Sequence, residues 1–485
     1  MKLLAVGSEI FPLIKTGGLA DVLGALPGAV AREGVSTMTL IPGYPSVMAE
    51  SGSGEILLRY PELQGAAARI IGTRVADLDL LVLDAPHLYA RPGGPYLDPT
   101  GFDWADNAQR FGALARVGAD LASGAIPALT FDVVQAHDWQ AGLLPAYLRY
   151  AGHRGPPSIM TVHNLAYQGQ FPADLLGTLG LPSEAFTTEG VEYFGSIGFL
   201  KAGLQCADVI TTVSPSYAAE ILSPELGMGL HGLFRQRAGT LVGILNGLDT
   251  KIWDPATDGH LAAHFDARTL IKREMNRMAV QRAAGLPKAA GSMLIGFVSR
   301  LTWQKGVDLI LECIDTIRAI GAQFIALGSG DAELQNQLER AATANPGLIG
   351  FLKGFDETMA HRIQGGADAI LVPSRFEPCG LTQLAAQHYG AVPIVSKVGG
   401  LIDTVINANE AALSAGVATG IQFAPTTADG LRTALRRAAN IYADRNAWRR
   451  LQINGMQLDV SWSIPARHYA SLYRHLANQS DWRKA

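Results

Sequence analysis

Short apolar runs alternate with helical patterns along most of this chain, and this alternation constrains its fold more than any other feature. Each run in the second half is followed by a helical pattern, so the strands should lie parallel, joined by right-handed crossovers. The predicted strands there are Met293–Val298, Gln323–Leu327, Gly347–Leu352, Ala369–Val372 and Ala391–Val395. The sequence therefore predicts an α/β fold with a doubly wound parallel sheet.

The first half carries a similar series of strand-like runs. They are residues 2–7, Val35–Ile41, Phe131–Ala136, Ser158–Val162, Asp208–Val213 and Leu241–Leu245. Because 485 residues are too many for one core, we expect two α/β domains, 1–250 and 251–460, with a final amphipathic helix in 461–485. A loop-like stretch at Asp254–Gly259 is the predicted linker.

Composition excludes several classes of protein. With 48% hydrophobic and 17% charged residues and a net charge of −4, the chain resembles a soluble enzyme and not a partner of nucleic acid or anionic membranes. The first five residues resemble a signal peptide, but Glu9 and Pro12 interrupt the pattern, and no apolar run reaches the length of a membrane span. Three scattered cysteines indicate a reducing compartment. We expect a cytoplasmic protein, and the sequence leaves its oligomeric state open between a monomer and a homo-oligomer.

The segment from Ser374 to Leu384 is the strongest candidate for a binding loop. It follows a buried strand and leads into a helix that should begin near Gly380, so free backbone N–H groups would point at one place. Glu377 lies just before that place and can accept hydrogen bonds from sugar hydroxyls. An ordinary capped turn would explain this segment if it stood alone.

Other polar loops also follow predicted strands. In the first half, one strand ends at His137-Asp138 and the next at His163-Asn164, while a third ends at Asn246. The carboxyl edge of an open α/β sheet is where ligands bind. Between the first strand and helix, Lys15 precedes Gly17 and Gly18, which allow a ligand to approach the backbone closely.

In the second half, Arg300 and Lys305 precede a helix start, an arrangement that suits a diphosphate, although a solvated basic turn is the alternative. Phe355 follows another strand end and could stack on a flat base. Two α/β halves with such strand ends imply a cleft, and an enzyme that transfers a group from a nucleotide-like anion.

A possible metal-binding pair is Asp77-Leu78-Asp79, which has the form used by one class of sugar-nucleotide enzymes. The alternating pattern around it favours a solvated strand end instead.

Seven motifs together resemble bacterial glycogen synthases and the related starch synthases. They are KTGGLADV at 15–22, AHDWQAGL at 136–143, TVHNLAYQG at 161–169, GILNGLD at 243–249, SRLTWQKG at 299–306, SRFEPCGLTQL at 374–384 and GGLIDTV at 399–405. The resemblance implies a GT-B fold: two Rossmann-like domains facing across a cleft, with the last helix crossing back to the first. It also implies ADP-glucose as donor, the non-reducing end of an α-1,4-glucan such as glycogen as acceptor, retention of configuration, and no metal or other cofactor.

The resemblance also implies roles for individual residues. Arg300 and Lys305 should neutralise charge on the departing ADP, and Glu377 should hold the glucose 3- and 4-hydroxyls. His163 should hold the 6-hydroxyl and completes the four catalytic candidates. The predicted substrate-binding residues are Lys15, Gly17 and Gly18 at the diphosphate, Asp21, Asp138 at the glucose and acceptor side, Asn246 at the 6-hydroxyl, Phe355, Cys379, and the phosphate-facing backbone of Gly380, Leu381 and Thr382.

Some features depart from the family pattern or leave alternatives open. His231 stands where the family often has Glu or Asp, which puts an acceptor role of that position in doubt. Cys379 is expected to react with thiol reagents faster than Cys206 or Cys313, the alternative being a small inert residue in a tight turn. A small-molecule acceptor, or glucan binding with little activity, are the rival functions.

Overall fold

A computed structural model describes residues 1–51, 54–150, 155–289 and 291–479 of the chain. It divides into two compact units. The first comprises Met1–Asn246 together with the C-terminal segment that begins at Trp462, and the second comprises Gly247–Ser461. Each unit is built around its own sheet.

The first unit contains strands β1 to β12. They are β1 Lys2–Val6, β2 Ser36–Pro42, β3 Glu55–Leu63, β4 Ala66–Val75, β5 Leu78–Asp84, β6 Val133–His137, β7 Ser158–Val162, β8 Gln170–Phe171, β9 Glu192–Tyr193, β10 Ser196–Gly198, β11 Val209–Thr212 and β12 Leu241–Gly243. Its helices are α1 Gly18–Ala31, α2 Pro45–Glu50, α3 Pro86–Tyr89, α4 Asn107–Ala122, α5 Leu144–Tyr150, α6 Phe199–Cys206, α7 Pro215–Glu220 and α8 His231–Gln236.

The main sheet of the first unit runs in the order β12-β11-β7-β6-β1-β2-β5-β4-β3. Strands β12 to β5 in that order pair in parallel, whereas β4 and β3 add an antiparallel edge. The direction of winding reverses between β1 and β6, so the loops after these two strands diverge and leave a crevice at the carboxyl edge. Strands β8, β10 and β9 form a separate small antiparallel sheet.

The C-terminal helix, Ser463–Gln479, packs on the first unit. Tyr469 and Tyr473 are buried together with Leu3 and Val22 from β1 and α1. The Tyr473 hydroxyl donates to Oε1 of Gln135 at 2.6 Å, which satisfies a buried polar pair inside this contact. The helix is therefore part of the first unit's core.

The second unit contains strands β13 to β18. They are β13 Leu294–Val298, β14 Gln323–Gly328, β15 Ile349–Lys353, β16 Ala369–Val372, β17 Val392–Ser396 and β18 Ile421–Phe423. Its helices are α9 Arg273–Ala283, α10 Val307–Leu311, α11 Ile314–Ala319, α12 Ala332–Ala344, α13 Glu357–Gly366, α14 Thr382–His388, α15 Gly399–Thr404, α16 Glu410–Ala415, α17 Ala428–Ala443 and α18 Arg445–Gln457. The C-terminal helix of the first unit, Ser463–Gln479, is α19.

The sheet of the second unit is parallel throughout and runs β15-β14-β13-β16-β17-β18. In chain order this is 3-2-1-4-5-6, the arrangement of a dinucleotide-binding Rossmann sheet. Apolar clusters lie on both faces, as expected for a sheet covered by helices on each side. The predicted fold class, two doubly wound Rossmann-like units, is confirmed.

The predicted linker at Asp254–Gly259 is wrong in one respect, because Asp258 is buried inside the second unit. Its side chain is 6% exposed and accepts hydrogen bonds from Tyr389 at 2.7 Å and from His361 at 2.8 Å. Burial acts to raise the pKa of Asp258, but these hydrogen bonds outweigh it and hold the pKa below its usual value. The segment anchors α13 and α14 where we expected a loose connection.

Asp77 and Asp79 lie at a hairpin turn between β4 and β5. Ala76 and Asp77 both have positive φ, 49° and 66°, as a tight two-residue hairpin turn requires. The two carboxylates face Arg74, at 3.8 and 3.6 Å, which fits the solvated strand end. Within the described ranges, no helix is long and apolar enough to cross a membrane.

Candidate active site

In the second unit, the loops after β13 and β16 meet at the point where the winding of the sheet reverses. Lys305 follows β13 and Glu377 follows β16, and Lys305 Nζ lies 2.6 Å from Glu377 Oε2. Their side chains are 17% and 8% exposed. Strand order alone therefore brings together two predicted catalytic residues that are 72 positions apart in sequence.

Backbone contacts clamp these two loops together. The Gly306 φ is 70°, and a Cβ at this position would lie 2.3 Å from the Pro373 carbonyl oxygen, so only glycine permits the approach. The Arg375 N–H donates to the Gln304 carbonyl at 2.8 Å, and the Gln304 amide donates to the Phe376 carbonyl at 3.1 Å. Lys305 and Glu377 are thus held by rigid loop backbones.

Among the described residues, the hydrogen bonds to the Glu377 carboxylate reach only one of its two oxygens. Its Oε2 accepts both from Lys305 and from Ser374 Oγ, the latter at 2.8 Å. Both hydrogen bonds end on the same oxygen, so Oε1 is the atom to which a ligand's hydroxyl could donate. Sequence reasoning did not single out Ser374 for this supporting role.

The loop before α14 lines a cavity beside this ion pair. The cavity is formed by the ends of β13 and β16, by Lys305 and Glu377, and by the segment Gly380–Gln383. Gly380 has φ 77°, and the Gln383 amide donates to the carbonyls of Cys379 and Gly380, each at 2.9 Å. Five predicted site residues therefore share one cavity: Lys305, Glu377, Gly380, Leu381 and Thr382.

Arg300 and Phe355 are placed differently. Arg300 lies two residues beyond β13 with an exposed side chain, and it is not among the residues that line the cavity. Phe355 follows β15 and is 73% exposed, an unusual state for a large apolar ring. Both remain predictions at the same carboxyl edge of the sheet.

In the first unit, Glu9 organises the loop that carries Lys15. Glu9 follows β1, is 3% exposed, and accepts hydrogen bonds from the backbone N–H of Thr16, from Thr16 Oγ1 at 2.6 Å and from the Gly17 N–H at 3.2 Å. The Tyr96 hydroxyl donates to the same carboxylate. Sequence reasoning missed Glu9, although its position directly after β1, at the reversal of winding, was the available signal.

The loop places Lys15 and the glycines at the start of α1. Lys15 Nζ lies 2.6 Å from Asp21 Oδ1, and both side chains are 27% exposed. A Cβ at Gly17 would meet nothing within 4 Å, so space remains open in front of the backbone there. The structure brings together Lys15, Gly17, Gly18 and Asp21 at the start of α1.

Two histidines, His137 and His163, stack at the ends of β6 and β7. Nδ1 of His137 lies 2.9 Å from Nε2 of His163, and the ring centroids are 5.2 Å apart. Burial lowers the pKa of His163 to about 3, and it lowers the pKa of His137 with a contribution from His163. Both imidazoles are therefore neutral near neutral pH.

The tautomers of His137 and His163 follow from the surroundings of one nitrogen, Nε2 of His137. His137 Nε2 is buried and makes no hydrogen bond among the described residues. A buried lone pair is tolerated better than a buried N–H, so Nδ1 of His137 carries the proton and donates to His163. Nδ1 of His163 then carries an N–H, which makes His163 a neutral hydrogen-bond donor.

Asp138 and Asn246 complete the polar groups of the first unit. Asp138 has φ 55° and accepts from the backbone N–H of His163 at 2.7 Å and of Asn164 at 3.4 Å. Burial raises the pKa of Asp138 to about 7, against these two hydrogen bonds. Asn246 Oδ1 is buried and has no partner in the described part of the chain, so an acceptor is left for a ligand.

Comparison with known proteins decides the family. Residues 2–236 match the family described as starch synthase catalytic domain, and residues 283–452 match glycosyl transferases group 1. A glycogen synthase of Acidiphilium cryptum is 59% identical over 99% of this chain and 100% of its own. A glycogen synthase of Rhodopseudomonas palustris strain BisA53 is 57% identical over 98% of this chain and 97% of its own.

The chain belongs to the glycogen and starch synthase family. This family consists of GT-B glycosyltransferases, and the likeness to solved structures agrees. The catalytic domain of starch synthase IV from Arabidopsis thaliana, bound to ADP and acarbose, matches with a TM-score of 0.88 and 30% identity, covering 98% of this chain and 99% of that one. A sucrose-phosphate synthase of Thermosynechococcus elongatus, at 18% identity and a TM-score of 0.60 over 98% of both chains, shares the fold.

Cys379 is less accessible than its expected reactivity requires, and the reactivity itself stays a prediction. Cys379 is 4% exposed, whereas Cys206 is only partly buried, so Cys379 is not the more accessible thiol. A Cβ at Gly400 would lie 2.4 Å from the Cys379 Cα, which shows how closely the backbones pack. The structure fits the alternative, a small residue in a tight turn.

The described residues contain no group of three or more His, Cys, Asp or Glu side chains arranged to hold a metal ion. The chemistry that these described residues offer is the Lys305–Glu377 ion pair in the second unit, and neutral hydrogen-bonding groups together with the Lys15–Asp21 pair in the first.

Proposed function

We propose that this chain transfers glucose from ADP-glucose to the non-reducing end of an α-1,4-glucan, with retention of configuration, and so elongates glycogen. Family membership supports the reaction class. The observation that carries the proposal is the Lys305–Glu377 pair at 2.6 Å, beside the cavity lined by Gly380, Leu381 and Thr382.

Lys305 stabilises the leaving group in this proposal. As the bond between glucose and ADP breaks, negative charge grows on the diphosphate, and a cation already fixed at that place costs no reorganisation. The paired Glu377 and the clamped loop hold Lys305 in position before the substrate binds. Arg300 adds a second cation from the same strand end, and the backbone N–H groups of Gly380–Thr382 face the phosphates.

Glu377 orients the sugar. Because Lys305 and Ser374 occupy Oε2, the other oxygen accepts from the glucose 3- and 4-hydroxyls. The carboxylate thereby links the position of the sugar to the position of the cation. Phe355, exposed after β15, offers its face to the adenine ring, and Cys379 supplies a small buried residue behind the phosphate-facing loop.

The first unit contributes neutral groups at the sugar and one cation, Lys15, at the diphosphate. Nδ1–H of His163 donates to the glucose 6-hydroxyl and Asn246 Oδ1 accepts from it, which gives that hydroxyl both of its hydrogen bonds. Lys15, Gly17 and Gly18 face the diphosphate, and Asp21 fixes Lys15. Asp138 lies at the glucose and acceptor side.

Retention follows from attack on the same face of the sugar from which ADP departs. Two candidate carboxylates lie at the sugar in this proposal: Glu377 binds hydroxyls, and Asp138 accepts from the backbone N–H groups of His163 and Asn164, so neither is assigned as a nucleophile. We therefore propose an ion-pair-like transition state in place of a covalent glucosyl intermediate. Cations of the chain perform the charge neutralisation, so the proposal includes no metal cofactor.

The experiment is transfer of labelled glucose from ADP-glucose to glycogen by the purified chain. We expect label in the glucan, and proton spectra of extended maltooligosaccharides should show new α-1,4 linkages. Maltose or glucose as acceptor, and UDP-glucose as donor, serve as comparisons. Faster transfer to a monosaccharide than to glycogen would favour a small-acceptor transferase, and binding of glycogen without transfer would contradict the proposal.

A further inference from the structure

An aromatic residue stands at a hairpin turn where its backbone conformation is unfavourable. Phe194 and Gly195 join β9 to β10, with φ values of 49° and 77°. Two-residue hairpin turns of this kind favour Asn or Asp followed by Gly, because a bulky side chain is strained at positive φ. The comparable turns at Gln64–Gly65 and Ala76–Asp77 use small or polar residues.

Burial does not explain the choice of phenylalanine. Phe194 is 78% exposed, so its ring gains little from packing against the core. The ring meets Tyr193 edge-on, with centroids 4.7 Å apart at 62°. A strained turn that presents an exposed ring beside a half-buried tyrosine points to binding, since strain persists where function or surrounding structure requires it.

The aromatic pair is connected to the loop that carries His163. Gln170 donates from its side-chain amide to the Tyr193 carbonyl at 3.2 Å. A Cβ at Gly229 would lie 2.6 Å from the Tyr193 hydroxyl oxygen and 3.8 Å from Phe194 Cε2. The residue before Gly229 is Met228, with φ 47°. Its carbonyl accepts a hydrogen bond from the side-chain amide of Gln168 at 2.9 Å. Gln168 lies five residues after His163 in the same loop.

Hydrogen-bonding groups accompany the aromatic rings. Glu192 Oε1 accepts from the Gly195 N–H at 2.7 Å, and the Tyr193 hydroxyl lies against Gly229. His231 begins α8 in the next turn of chain, and its Nδ1 is buried without a partner among the described residues. A flat apolar ring beside a tyrosine hydroxyl and a carboxylate suits a sugar, whose C–H face packs on a ring while its hydroxyls find polar partners.

We infer that the Tyr193–Phe194 hairpin is an acceptor subsite, where a glucose unit of the α-1,4-glucan stacks on the Phe194 ring. The inference rests on the proposed function and deepens it by naming residues that bind the acceptor. A neutral glucan is the occupant because Glu192, next to the aromatic pair, would repel an anionic chain. The subsite binds and does not take part in bond breaking.

The test compares Phe194→Asn with the wild-type chain. Asparagine suits the turn, so this variant removes the ring while relieving strain, and its melting temperature should equal or exceed that of wild type. We expect the KM for glycogen and maltohexaose to rise about three- to tenfold, with kcat and the KM for ADP-glucose unchanged. Phe194→Trp should keep wild-type values for glucan. The control is Ile271→Ala, which removes another exposed apolar side chain (83%) in the second unit and should change nothing.

A second readout separates this inference from the proposed function. Electrophoresis in gels that contain glycogen measures glucan binding without a donor sugar. Wild type should be retarded and Phe194→Asn retarded less, whether or not glucose transfer from ADP-glucose is observed. If wild type transfers no glucose but is still retarded more than Phe194→Asn, the proposed function is wrong and glucan binding at Phe194 is supported.

Three results would overturn the inference. Unchanged glucan KM and unchanged retardation in Phe194→Asn would show that the ring does not bind the acceptor. A matching rise in the KM for ADP-glucose would show a general disturbance of the unit. A change of oligomeric state on size-exclusion chromatography, with unchanged glucan affinity, would assign the hairpin to contacts between copies of the chain.

Discussion

The two units have closely similar sheet plans, yet they place different chemistry at the reversal of winding. In the second unit, the loops after β13 and β16 bring a full positive and a full negative charge together, Lys305 and Glu377 at 2.6 Å. In the first unit, the corresponding strand ends carry Glu9 and His137. The Glu9 carboxylate accepts hydrogen bonds from backbone N–H groups, and the neutral ring of His137 stacks on His163.

Two units with the same type of fold can therefore take different parts in one reaction. A fixed cation can stabilise charge that develops as a bond breaks, so the second unit is suited to the chemical step. Neutral donors and acceptors orient hydroxyl groups without adding charge, so the first unit is suited to positioning. Substitutions of charged and of neutral residues should separate these two roles.

Replacing Lys305 with alanine should have the largest effect. The lost interaction strengthens as the ADP oxygen departs, so kcat should fall by roughly 10²–10³. Steady-state kinetics on folded protein measures it. The matched control is Lys353→Ala, which removes an exposed lysine paired with Glu339 at 3.0 Å and should leave kcat unchanged. A raised KM for ADP-glucose with normal kcat would show that Lys305 only binds.

Asp138 should make stability depend on pH. Its folded pKa of about 7 lies above the ordinary value of 3.8, so the folded state holds a proton that the unfolded state releases between these values. Stability is therefore fully present at low pH and lost as pH rises through 7. Relative to Asp138→Asn, which cannot titrate, wild type should lose on the order of 2 kcal/mol between about pH 5 and about pH 7.5.

Melting temperatures of both proteins at the two pH values provide the measurement. Asparagine can still accept from the N–H groups of His163 and Asn164, so the variant should fold. Parallel pH dependence in the two proteins would mean that Asp138 titrates like an exposed carboxyl.

His163 should contribute a hydrogen bond and no charge. His163→Ala should lower kcat/KM by about tenfold, the value of one neutral hydrogen bond. Because its pKa is about 3, wild-type and variant pH–rate profiles should have the same shape between about pH 6 and about pH 8. His468→Ala, at an exposed position of α19, is the control. A wild-type profile with an ionisation near neutral pH that the variant lacks would contradict the neutral role.

Phe355 should give the smallest effect. Removing an exposed stacking ring in Phe355→Ala should raise the KM for ADP-glucose by about fivefold and leave kcat nearly unchanged, while Phe355→Tyr keeps the wild-type value. Equal KM values in all three proteins would remove Phe355 from the donor site.

Much of the sheet could be predicted from the sequence because buried parallel strands are continuous apolar runs. Ser158–Val162 and Ala369–Val372 occur with the predicted bounds. The antiparallel strands β3 and β4 were not predicted, since their residues are partly exposed and vary in pattern. The short strand β18, Ile421–Phe423, offers too few residues for a periodic signal.

The site was predictable where strand ends determine position and not where it depends on tertiary contacts. Lys305 and Glu377 meet because their strands are neighbours in the sheet. Glu9 was not predicted as a site residue because its partners, Thr16 and Tyr96, contact it only in the folded structure. Asp258 looked like a loop residue for the same reason, as its partners His361 and Tyr389 lie over 100 positions later.

The central claim is that cationic side chains of the chain, Lys305 foremost, and no metal ion neutralise the leaving diphosphate. Its most direct test is the rate of glucose transfer from ADP-glucose to glycogen in excess EDTA, before and after addition of magnesium or manganese. The account predicts the same rate in all three conditions, with Lys305→Ala slow in each. Loss of activity in EDTA that either metal restores would contradict it and return attention to Asp77 and Asp79.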